Sequence, residues 1–123
     1  MFKFYNPNPK GKLTGDCSVR AVSAALGMDW DSAYALMSAN GFVMCDMPNA
    51  NSVWGNLLHK RGFIREAIPN TCPDCYTAND FCAEHPSGLY VLGFGTHVAC
   101  VRDGTIYDSW DSGMEIPQYY WRR

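Results

Sequence analysis

A chain of 123 residues, 47% hydrophobic and 14% aromatic, holds enough apolar material for one packed domain over residues 1–123 and little room for a second. A formal net charge of −2 without any basic stripe excludes a general nucleic-acid binder. No apolar run approaches the roughly 20 residues of a membrane span, and residues 1–5 lack the apolar core of a signal peptide, so a soluble, cytoplasmic, membrane-free protein is expected.

Residues 5–15 are rich in Asn, Pro, Gly and Lys and read as an irregular leading segment. Asp16 reads as an N-cap, after which Val19, Val22, Ala25 and Leu26 recur at helical spacing until Gly27. A second helix is predicted from Asp29 or Trp30 to Ala39, ended by Asn40 and Gly41, with residues 42–49 as loop. Asn51 or Ser52 is expected to cap a third helix through Lys60, whose apolar stripe is Val53, Trp54, Leu57 and Leu58. Residues 63–67 suggest a short strand, 72–76 a turn, and Thr77 or Asn79 the start of a short helix reaching Glu84. Beyond Pro86 the pattern becomes β, with strands expected over 89–94, 96–102, 105–110 and 116–121. Helices first and an antiparallel sheet last define an α+β class.

The six cysteines, without an export signal, are expected as reduced thiols or metal ligands. Cys72, Cys75, Cys82 and His85 give C-x2-C-x6-C-x2-H, a spacing that four zinc ligands could adopt. The ordinary alternative is a turn, a packed helix cysteine and a helix-end histidine. With no acid at an obvious spacing to orient His85, no metal is expected.

Cys17 stands apart from the others. In Gly15-Asp16-Cys17-Ser18 the sulfur falls in the first turn of a helix, where free N–H groups and the dipole favour thiolate. Near the C-terminus, Asp103-Gly104 between two alternating runs predicts a two-residue type I′ hairpin. If Arg102 pairs with Thr105, counting outward puts Ala99 opposite Asp108 and His97 opposite Trp110. His97 and Asp108 then share a face as diagonal neighbours, while Cys100 and Tyr107 face the other way. Asp111 also falls on the opposite face and is second choice as a partner for His97. Taken singly, these residues read as a buried thiol, a core histidine and a turn former. Together they are a nucleophile, a base and an orienting acid. Arg20, four residues after Asp16, reads as half of a surface ion pair, and residues 119–121 as core and edge packing.

These residues resemble the papain-like cysteine peptidase superfamily. In that fold the nucleophilic Cys opens a long helix, the His sits on a strand of an antiparallel barrel, and an orienting Asn or Asp follows on the next strand. Asp108-Ser109-Trp110-Asp111 is similar to the Asn-Ser-Trp-Gly segment of those enzymes, with Asp in place of Asn. The order Cys, His, Asp and the small size look closer to bacteriocin-leader peptidases and to small bacterial and phage proteins of the superfamily. The resemblance implies a papain-like fold, with Cys17, His97 and Asp108 catalytic, Trp110 shielding the His–Asp pair, and Asp16 and Asp111 in support. It implies a cysteine-dependent hydrolase (peptidase, isopeptidase or amidase) working through a thioester acyl-enzyme. The expected partner is a protein or peptide substrate, the chain a monomer without cofactor in a bacterial or phage-infected cytoplasm. An acyltransferase of transglutaminase type, or a non-catalytic binding or inhibitor protein on the same fold, is the alternative. The family's oxyanion Gln has no counterpart before Cys17, so Asn8, Lys12 or Thr14 is expected beside the Cys17 backbone N–H.

Overall fold

Gly15 and Asp16 turn the chain into α1 (Cys17–Leu26), and Gly27 closes it in the left-handed conformation with its N–H on Ser23 O. The computed structural model describes all of residues 1–123. Val19, Val22 and Ala25 form the buried stripe the spacing predicts. Asp29 caps α2 (Trp30–Met44) by accepting from the Ser32 N–H at 2.7 Å.

The second helix does not stop at Asn40-Gly41, as the sequence suggests, but runs on to Met44 and ends at a left-handed Cys45. Both supposed stop residues serve packing instead. Asn40 is buried, and its amide donates to Val53 O at 3.1 Å and to Asn56 Oδ1 at 3.2 Å, tying α2 to α3 (Asn51–Lys60). Gly41 lets the returning loop close in, because a Cβ there would stand 2.9 Å from Asp46 O. Asn40→Ala leaves an accepting carbonyl and an amide without their shared donor. An unfolding loss of about 1–3 kcal/mol is expected, read from denaturant melts. The cap of α3 is Ala50, with no side-chain bond, rather than Asn51 or Ser52.

The remaining elements are β2 (Ile64–Ala67), α4 (Ala78–Glu84), β3 (Leu89–Gly93), β4 (Val98–Arg102), β5 (Thr105–Asp108) and β6 (Tyr119–Arg122). Thr77 and Asp80 form a reciprocal capping box at the start of α4. All five predicted strands are shorter than expected: β2 and β3 each lose one residue (63 and 94), residues 96–97 precede β4, 109–110 follow β5, and β6 begins at Tyr119. One strand was not predicted at all. Residues Phe2–Phe4 form β1, which pairs parallel with β5. The sheet is therefore mixed rather than purely antiparallel, in the order β1-β5-β4-β3-β6-β2.

The hairpin has the predicted register, with Arg102 opposite Thr105 and Cys100 opposite Tyr107. Asp103 and Gly104 both have positive φ, as a type I′ turn requires. Helices α1, α2 and α3 cover one face of the sheet through Val91, Val98, Cys100, Tyr119 and Trp121. On the other face α4 packs Phe81 and Cys82 against Leu92, Ala99, Val101 and Ile106. No helix is long and apolar enough to cross a membrane.

Candidate active site

Antiparallel pairing brings the end of β3, the start of β4, the end of β5 and the start of β6 to one end of the sheet. The first turn of α1 is placed there as well. Cys17, His97, Val98, Phe94 and Tyr119 line a cavity of about 180 Å³ at that point.

His97 Nε2 donates to Asp108 Oδ2 at 2.6 Å, so the diagonal pairing deduced from the turn is present in the structure. With Nε2 taken, Nδ1 is the nitrogen left for the Cys17 sulfur. Asp108 is 1% exposed and fully engaged. Its Oδ2 also accepts from Ser112 Oγ at 2.8 Å. Its Oδ1 accepts from the Ser109 N–H at 2.7 Å and from Arg20 Nη2 at 3.2 Å. Trp110 tilts over the imidazole with ring centroids 4.8 Å apart, and Phe94 stacks beside it at 5.8 Å. Asp111 stays away from His97 and accepts from the Gly113 N–H at 3.0 Å, fixing the turn after β5.

Two readings of the segment around Cys17 need correction. Asp16 makes no side-chain cap bond. Its carboxylate pairs with Arg20 Nη1 and accepts from Trp30 Nε1 at 2.9 Å. Arg20 is not half of a surface pair; it is 6% exposed and bridges Asp16 to Asp108. A buried chain thus runs from Trp30 through Asp16, Arg20 and Asp108 to His97. Because Asp16 is spent on this chain, its side chain caps none of the first-turn N–H groups of α1.

The electrostatics follow from these contacts. Burial pushes the Cys17 thiol up, but hydrogen bonding with His97, the Val98 N–H and the charges of His97 and Arg20 outweigh it and bring it below its ordinary value. Burial likewise pulls His97 down, yet its bonds to Asp108 and Cys17 carry it up to about 9. Asp108 is held below the usual carboxylate range, its burial outweighed by His97, Ser112 and Ser109. The result favours a thiolate–imidazolium pair, titrating as a unit. The fully enclosed cysteines behave oppositely: burial pushes Cys100 to about 12 and raises Cys82.

Asn8, Lys12 and Thr14 are not beside the sulfur. They line an adjoining groove of about 470 Å³, which meets the Cys17 cavity at Gly15, Ser18 and Asn49. Asn49 and Asn51, from the loop before α3 and its first turn, reach the cavity instead. The zinc candidates are not gathered either. Cys72 and Cys75 are joined by a disulfide, contrary to the expectation of reduced thiols, because their turn brings the Cα atoms to 4.1 Å. Cys82 is buried between α4 and the sheet, and His85 Nδ1 donates to Phe81 O at 2.8 Å. No group of three His, Cys, Asp or Glu side chains is placed to hold a metal.

Sequence reasoning missed Arg20 as a buried bridge, and also Ser112, Phe94 and Tyr119. A signal existed for the first: Arg20 sits between Val19 and the Ala21-Val22 pair in a helix with no other charged residue. Comparison with protein-family models, with curated proteins and with solved structures gave no match.

Proposed function

We propose that this protein is a cysteine-dependent hydrolase of papain-like type, acting on an amide or isopeptide bond in a protein or peptide. The observation that carries the reading is Cys17 and His97 side by side in one cavity with buried Asp108 hydrogen-bonded behind His97, the thiol lowered and the imidazole raised. A buried structural cysteine has its thiol pushed up, as in Cys82 and Cys100. In this reading the Cys17 thiolate attacks the carbonyl carbon, and the His97 imidazolium protonates the departing amine. The C–N bond breaks and a thioester remains. His97, now neutral, takes a proton from water as that water attacks the thioester and releases the acid and the thiol. Asp108 holds the Nε2–H tautomer throughout, keeping Nδ1 toward the sulfur.

The test is site-resolved alkylation by iodoacetamide across pH, followed by peptide mass. At pH 6 Cys17 is expected to react about tenfold faster than the exposed Cys45. The sign follows from the two shifts. Below the lowered Cys17 value the thiol is protonated and slow; above it the thiolate persists, and near 9 His97 gives up its proton. Alkylation therefore rises at a lower pH than for an ordinary thiol and does not fall at high pH. Turnover of an amide falls above about 9, because the imidazolium acid is gone. A Cys17 that alkylates only as fast as Cys45 at every pH would sink the reading.

A further inference from the structure

The reaction above needs a side-chain donor for the oxyanion, and no glutamine precedes Cys17. The segment expected to supply one lines the neighbouring groove instead. Tyr119, from the start of β6, is the phenol that lines the Cys17 cavity. It is 7% exposed, lines the same space as Cys17, and its hydroxyl makes no hydrogen bond to any protein group. The ring is buried while the hydroxyl is not sealed off, so its O–H is left to donate to whatever occupies the cavity.

Strand register explains how the ring arrives there. Tyr119, Gly93 and Val98 stand directly opposite one another across β6, β3 and β4. Tyr119 and Val98 both point to the α1 face. The residue between them has no side chain, so the phenol lies across it: a Cβ on Gly93 would be 2.0 Å from Tyr119 Cζ. The hydroxyl end is therefore directed over Gly93 toward Val98 of β4, which lines the cavity together with Cys17. The Arg65 guanidinium, 4.0 Å from the ring centroid, clamps the outer part. The phenol is held on two sides and can donate without reorganising. Asn51 also lines the cavity, with its carbonyl turned to Trp54 Nε1 at 3.1 Å, but it is exposed and carries no comparable clamp.

We propose that the Tyr119 hydroxyl is the side-chain oxyanion donor of this site, acting with the Cys17 backbone N–H. The proposal rests on the thiol-hydrolase reading. When the thiolate adds to a carbonyl carbon, the C=O π pair moves onto oxygen, and Tyr119 donates a hydrogen bond to that oxygen while keeping its proton. The pair returns as the leaving group departs. Alkylation by iodoacetamide, a displacement of iodide at saturated carbon, forms no oxyanion and makes no use of the phenol.

Two probes of Cys17 separate these roles in Tyr119→Phe, which keeps the ring on Gly93 and under Arg65. The first is the p-nitrophenolate burst from p-nitrophenyl acetate, with the acetyl group located on Cys17 by peptide mass. The second is the iodoacetamide rate. Acylation is expected to fall about a hundredfold, the low end for removing one oxyanion donor, while alkylation stays within about twofold. Unchanged acylation would overturn the proposal. So would equal losses in both rates, since Tyr119 would then be supporting the thiolate rather than the oxyanion. These outcomes leave the thiol-hydrolase reading standing. If wild-type Cys17 neither alkylates faster than Cys45 nor acylates, that reading falls and the proposal with it.

Discussion

Asp108→Asn is expected to lower acylation of Cys17 by p-nitrophenyl acetate about 10⁴-fold while leaving the chain folded. The carboxylate accepts from two donors on each oxygen: Arg20 and the Ser109 N–H on Oδ1, His97 and Ser112 on Oδ2. An asparagine has one accepting oxygen, so its NH₂ must replace one of those pairs. Against Arg20 and a backbone N–H it would meet two groups that only donate. Against Ser112 and His97 it meets a hydroxyl that can turn and an imidazole that can change tautomer. The second arrangement costs less, and it places the ring proton on Nδ1, where His97 no longer serves as base toward Cys17. An orienting Asn is therefore not equivalent to Asp108 in this chain: Arg20 and Ser109 take one accepting oxygen, and the Nε2–H of His97 needs the second. Asp111→Asn keeps its single bond to Gly113 and is expected to stay within about twofold of the wild type, as an exposed substitution does. Comparable losses at the two positions would show that Asp108 does not orient His97.

What the sequence disclosed about this geometry was what short-range rules govern. The Asp-Gly turn fixes the hairpin register, and register alone puts His97 and Asp108 on one face. A Gly-Asp pair ahead of an apolar stripe fixes where α1 begins and therefore where Cys17 sits. Features set by distant partners were hidden. Strand β1 is three exposed residues, and its parallel partner Ile106 lies at the far end of the chain, so no local pattern marks it. The spacing of Asp16 and Arg20 looks the same whether the pair faces water or is sealed under Trp30 and Asp108. Asn40 and Gly41 carry the chemistry of a helix end but are used for a buried bond and a close approach. Tyr119 reads as core packing because its partner is the missing side chain of Gly93. An isolated glycine ending the apolar run of β3 was the available clue.

Arg20→Met is expected to reduce stability by about 3–5 kcal/mol, because it leaves Asp16 and Asp108 buried without the cation they share. A double variant, Asp16→Asn with Arg20→Met, removes one of the stranded charges. It should recover part of that loss, as groups in one buried network are not additive. Arg20→Lys keeps the charge, but a single ammonium cannot form the two divergent contacts of the guanidinium, and an intermediate cost follows. Stability alone would not separate a scaffold from a positioning residue, so the informative measurement is the pH profile of Cys17 alkylation. The Arg20 charge helps to bring the thiol below its ordinary value. Without it the acid limb should move to higher pH in Arg20→Met and remain close to wild type in Arg20→Lys. The His97 contribution to that shift should persist in both, because its bond to Asp108 Oδ2 involves the oxygen that Arg20 does not touch. A limb that stays in place in Arg20→Met, in protein still folded below its melting transition, would confine Arg20 to holding α1 against β5.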